Sequence, residues 1–261
     1  VIVLAVNAVN VVIISFGSGG ANFKIFSIYS SITFFTTRSA IPMKKAAKEN
    51  GKEVKSGGSA GGIHIAGSTV NLRGTSFYGN KADGNGGAIV MGMATYTENG
   101  VSRRATVRVN VYGGTFSGNV AQNAAGGMLI QSEGTVVNMY GGTFTNNTAK
   151  NAGGIYVSTK TKFTMTGGAV VNNKTTASAG GIYVLNATAT ITGGQFYGNT
   201  TDASGGLMVT SGITTVVRME NLKIHDNKAK THGAIYNQGK ATLIANNCDF
   251  YDNTAGTGGN G

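Results

Sequence analysis

Asparagine recurs at Asn80, Asn119, Asn147, Asn173, Asn199, Asn227 and Asn253, in steps of 39, 28, 26, 26, 28 and 26 residues. Three positions before each stands an apolar residue: Phe77, Phe116, Phe144, Val170, Phe196, Ile224 and Phe250. Five positions earlier still comes another: Leu72, Val111, Met139, Met165, Ile191, Met219 and Ala245. A third row follows the Gly-Gly pairs, as Ile63, Ile89, Met128, Ile155, Ile182, Leu207 and Ile235. Self-similarity at a sustained period is the mark of a repeat architecture and restricts the fold more than any other feature here.

Within each repeat the segments alternate, as in Phe163-Thr-Met165 and Ile155-Tyr-Val157, with Gly or Asn at the breaks. Alternation between such punctuation predicts strands and turns. The 42 glycines and single proline leave no room for the long faces of a helical solenoid. The expected class is all-β: a parallel β-helix with three strands per coil of about 26–28 residues, coils stacked at about 4.8 Å. Glycine turns the corners, because it reaches positive φ without a Cβ clash, and Asn221, Asn246 and Asn247 are expected to replace it there. The seven recurrent asparagines are expected to form a structural ladder, amide bonded to amide from coil to coil.

The alternation of Gly-Gly-Ala-Ile (Gly86–Ile89) with Phe-x-x-Asn (Phe77–Asn80, Phe116–Asn119, Phe144–Asn147, Phe196–Asn199, Phe250–Asn253) resembles the repeats of chlamydial polymorphic outer-membrane proteins. It is similar, more widely, to β-helix adhesins with the pectin-lyase-like fold. The resemblance implies a right-handed coil and a surface-exposed chain that acts by adhesion or scaffolding.

Charged residues make up only 12% of the chain, yet 21 Lys and Arg stand against 10 acids, a net charge of +11. The cations are scattered and no stacking platform accompanies them, so nucleic acid is not the expected partner. Mild attraction to an anionic cell-surface polysaccharide or to lipid is the better reading of the charge. The single cysteine, Cys248, excludes an intrachain disulfide and reads as a small buried residue beside a corner. Opening on Val1, the chain reads as a processed product or part of a longer one.

Residues 1–58 and 59–261 divide by pattern. The first part holds apolar β-prone stretches at 1–16 and 22–37, expected as degenerate first coils, a cap or a bridging arm. A Lys-rich run from Lys44 to Lys55, after Pro42, is expected to be a loop or short helix. The long 39-residue step contains an insertion around Tyr96–Arg104, read as a projecting hairpin. Beside the third inward row stand His64, Val90, Leu129, Tyr156, Tyr183, Met208 and Tyr236, expected to face outward as a nearly continuous apolar stripe. So long a stripe needs a cover: residues 1–37 folded back, another subunit, or a sugar on the tyrosines.

Lyases and hydrolases on this fold work with clustered carboxylates. Asp83, Asp202, Asp226 and Asp252 sit near the Asn corners and read as solvated turn residues, with Lys81 and Lys174 nearby. His64, His225 and His232 have no metal or triad spacing. No catalytic residue, metal ligand or cofactor is assigned. Of four Asn-x-Ser/Thr sequons, Asn173 and Asn199 belong to the ladder, leaving Asn146 and Asn186 as candidate glycosylation sites. The expected function is a non-enzymatic extracellular or cell-surface rod that stacks head to tail as a homopolymer. The alternatives are a monomeric adhesin fragment and a polysaccharide lyase or hydrolase.

Overall fold

The computed structural model describes residues 2–5, 11–16, 23–26, 31–35, 48–49, 52–53, 60–92 and 94–256. It is an all-β parallel β-helix of about seven turns, consistent with a right-handed coil. One coil shows the plan of all. Strands β1 (Ile155–Ser158), β2 (Lys162–Met165), β3 (Ala169–Val171) and β4 (Lys174–Thr175) follow one another around the column. β1, β2 and β4 then pair in parallel with their counterparts 26 or 27 residues on, for example Ile155↔Ile182 and Met165↔Ile191, while β3 meets the next coil through a single bridge from Ala169 to Gln195. The two-residue fourth strand is an addition to the three expected. It forms a seven-stranded sheet of its own, running from Lys81–Ala82 to Thr254–Ala255.

Alternation makes the column. In β2, Phe163 and Met165 point inward and are buried, while Lys162 is exposed and Thr164 half-buried. Stacked coils bring the inward residues into rows. Phe77, Phe116 and Phe144 lie ring on ring, with centroids 5.1 and 4.2 Å apart and planes within 12° and 4° of parallel. Burying one such ring contributes about 2–3 kcal/mol, and its stacking about 0.5–1.5 kcal/mol more. Val170, Phe196 and Ile224 continue the row, all fully buried.

The expected row Ile182, Leu207, Ile235 needs a correction. Met208, not Leu207, pairs with both Ile182 and Ile235, so Met208 faces the core and its neighbour Val209 takes the outward place beside Tyr183 and Tyr236. The cause lies in the Gly pair. Gly205-Gly206 sits one position early, so that Leu207 stands where Gly181 and Ala234 stand in the adjoining coils. Asn246 is corrected too: it ends the strand Thr242–Asn246, and Asn247 makes the turn with φ 50°.

The insertion folds as a two-stranded antiparallel ribbon, Ala94–Glu98 with Val101–Ala105. Its turn residues Asn99 and Gly100 have φ 50° and 76°, the pair of positive angles a two-residue hairpin turn requires. Toward the N-terminus, Phe23–Phe26 pairs in parallel with Ile63–Ala66, and Ser31–Phe35 with Thr69–Arg73. These strands extend the column. Val11–Phe16 and Ile2–Ala5 then add antiparallel to the same sheet. Within the Lys-rich run, Lys48–Glu49 pairs antiparallel with Lys52–Glu53, so these four residues are strand, not helix.

Candidate functional surfaces

The asparagine row is the best-defined polar structure in the molecule. Each Nδ2 donates to the Oδ1 of the next asparagine: Asn80 to Asn119 (2.7 Å), Asn119 to Asn147 (2.9 Å), and Asn147 to Asn173 (3.0 Å). The series continues from Asn173 to Asn199 (3.1 Å), Asn199 to Asn227 (3.0 Å) and Asn227 to Asn253 (3.0 Å). Every Oδ1 so engaged also accepts a backbone N–H from the same donor residue, as Asn147 N to Asn173 Oδ1 (3.1 Å) shows. The second Nδ2 hydrogen reaches back to a carbonyl of the preceding coil, Phe144 O in the case of Asn173 (2.9 Å). Asn119, Asn147, Asn173, Asn199 and Asn227 have no exposed surface, and this network supplies their side chains with partners.

What aims these side chains inward is the residue before each. Gly79, Gly118, Asn146, Asn172, Gly198, Asp226 and Asp252 all have φ between 53° and 67°. Gly, Asn and Asp are the residues that tolerate this conformation best. That places two of the four aspartates expected as turn residues: Asp226 and Asp252 are corner formers. Asp83 and Asp202 lie on the fourth sheet's side, and Asp83 accepts a hydrogen bond from Gln122 (3.3 Å). Among the described residues no group of three His, Cys, Asp or Glu side chains is placed to hold a metal. His225 Nδ1 lies 2.7 Å from Asp226 Oδ2, and its ring stacks between Tyr197 and Tyr251 at 5.3 and 4.8 Å. His232 is hydrogen-bonded with Ser204 and Thr231 and stacked on Tyr236 at 4.0 Å.

The outward stripe is not an open apolar surface. Val90 and Leu129 retain 1% and 2% of their exposure, and they form a small second core with Ala60 and Ala125. The cover comes from the same coil, four residues earlier. Ala125 turns over Leu129 with φ 57°, and a Cβ on Gly86 or Gly205 would strike Val90 Cγ2 at 2.2 Å or Val209 Cγ2 at 2.8 Å. Tyr156 and Tyr183 are half-buried, edge to face at 4.9 Å, and Tyr236 lies under His232. Burial pushes the Tyr156 hydroxyl up to about 12, with the Tyr183 phenol adding to it. None of the three expected covers is needed for Val90, Leu129 and Val209.

Of the sequons, Asn173 and Asn199 are sealed in the ladder. Asn146 is exposed, and Asn186, half-buried with φ 49°, accepts a hydrogen bond from Thr214 Oγ1 (3.4 Å). The hairpin carries its own ion pair, Arg103 Nε to Glu98 Oε2 at 2.7 Å, while Glu133 meets both Arg104 (3.6 Å) and Lys160 (3.2 Å). Sequence reasoning missed a second, outer asparagine row: Asn138 donates to Asn110, and Asn110 to Asn71, at 2.9 Å each. It also missed the exposed pair Tyr112 and Tyr140, stacked at 5.1 Å beneath Arg73. Both follow from reading the outward residues of the second strand by coil, Asn71-Asn110-Asn138 and Arg73-Tyr112-Tyr140. Comparison with protein-family models, curated proteins and solved structures finds no match to this chain.

Proposed function

We propose that the chain is a non-enzymatic structural protein of the cell surface or extracellular space: a β-helical rod whose copies join head to tail into an adhesive filament. One observation carries the reading. The last described coil has the inward rows of every other coil, and its outer edge is apolar and unpaired among the described residues. Phe250 is 46% exposed, where its counterpart Phe196 is fully buried, and Ile235 and Leu243 are only half-covered. Its strands Ile235–Asn237, Thr242–Asn246, Asp249–Tyr251 and Thr254–Ala255 are paired along one edge only among the described residues. An apolar, unpaired edge of this kind is a template for another strand layer. Every coil stacks on the next in one sense, so a copy added there makes a heterologous contact that does not close on itself, the geometry of a fibre.

Negative-stain microscopy and sedimentation of the chain over a range of concentrations test this. Fibres one rod wide are expected, and Phe250→Asp is expected to break them into short rods while circular dichroism keeps its β signal. Single short rods at high concentration refute the filament and leave the monomeric adhesin. Release of reducing or unsaturated ends from acidic polysaccharides refutes the non-enzymatic reading.

A further inference from the structure

We infer that the side of the column formed by the fourth sheet binds a linear sulfated polysaccharide. The outward row there runs Thr148, Lys174, Thr200, Lys228, Thr254 in register, and two residues further along their coils stand Lys150 and Lys230. All four lysines are exposed. A groove of about 620 Å³ opens among Lys174, Thr200, Asp202, Lys228 and Lys230. This face differs from the other basic cluster in one respect. Arg103, Arg104 and Lys160 each meet Glu98 or Glu133, whereas no carboxylate among the described residues lies within 4.0 Å of the Lys150, Lys174, Lys228 or Lys230 ammonium. Asp83 and Asp202 are the acids on this side, Asp83 accepting from Gln122; Asp226 and Asp252 stand at the corner beside it, the former against His225.

The spacing and the chemistry of the face select the ligand. Lys174 and Lys228 are two coils apart, about 9.6 Å along the column at the strand spacing of a β-sheet. An extended glycan lying along the axis, with anions on alternate sugars, places one at each ammonium and its hydroxyls against Thr148, Thr200 and Thr254. The face has lysines and no arginine, hence point charges suited to a tetrahedral sulfate and no planar fork matched to a carboxylate. Its outward rows hold no aromatic ring in these coils, so nucleic-acid bases have nothing to stack on. The site is on the flank and the proposed end-to-end joint is at the tip, so either stands without the other.

Heparin binding by the full chain at 0.15 M salt tests the inference, measured for two quadruple variants of equal net charge. One is Lys150→Gln, Lys174→Gln, Lys228→Gln and Lys230→Gln. The other is Arg103→Gln, Arg104→Gln, Lys160→Gln and Lys162→Gln. The first is expected to weaken binding by about tenfold or more and the second by less than about threefold, with unfolding midpoints unchanged because every substituted side chain is exposed. Equal losses in the two variants would show attraction to net charge alone and overturn the site. Polygalacturonate or single-stranded DNA binding this face as tightly as heparin would overturn the choice of a sulfated glycan.

Discussion

Replacing Asn173 by alanine removes a single amide from the middle of the buried ladder. Asn147 then loses the acceptor of its backbone N–H (3.1 Å) and of its Nδ2 (3.0 Å), and Phe144 O loses its donor (2.9 Å). Asn199 Oδ1 keeps the Asn173 backbone N–H, so the damage runs toward the N-terminal side. A buried donor left without a partner costs about 1–3 kcal/mol, and two are stranded here. Water entering the vacated space recovers part of that, which places the expected loss at about 3 kcal/mol. Asn253→Ala removes the same two bonds from Asn227 at a half-exposed end where water replaces them, so about 1 kcal/mol is expected. Urea unfolding gives the overall difference, and hydrogen exchange at the Asn147 amide reports the local one. Equal costs for the two substitutions, or unchanged protection at Asn147, would refute the idea that the ladder stabilises through buried, mutually satisfied amides.

Other outcomes follow from the same geometry. A Cβ at Gly180 meets Gly206 O at 2.3 Å and Thr200 N and O at 2.7 Å, so Gly180→Ala is expected to cost about 3 kcal/mol or more by thermal unfolding. Gly79→Ala, with φ 60° and open space around the Cβ, is expected to cost about 1 kcal/mol. Met208→Lys is expected to prevent folding, whereas Val209→Lys leaves a folded, less stable chain; equal effects would return Met208 to the outward row. Tyr156 has its folded value raised to about 12 from an ordinary 10, so the folded state holds its proton longer than the unfolded one. Its contribution is complete below pH 10 and lost as pH rises toward 12, and Tyr156→Phe is expected to flatten that decline in a phenolate-absorbance and stability titration.

The rows of Phe116, Met165 and Asn173 were legible because each recurs at one phase of the repeat and each has a chemistry that only stacking satisfies. Met208 was misplaced because the Gly-Gly pair served as the marker. In the coil of Gly205 and Gly206 the required small residue falls one place earlier, with Leu207 tolerated at the second Gly position. The positive-φ corner before each ladder asparagine was obscured because Gly79, Asn146 and Asp226 are three residue types with one backbone role. The cover over the stripe was hidden for a different reason. Ala125 and Leu129 are four apart, a separation read as helical, and only a left-handed turn brings them together here. Which cations are neutralised was out of reach as well, since Arg104 and Lys160 meet Glu133 from separate coils.

All six side-chain bonds of the buried ladder point one way, from the coil of Asn80 toward that of Asn253. Paired strands largely cancel their own dipoles, so these aligned amides leave the column with an arrow along its axis. Continued past Asn253 the row would supply an acceptor, and continued before Asn80 a donor. Rods joined end to end as proposed would all carry that arrow in the same sense, so their filament would have a leading and a trailing end that gain subunits at different rates.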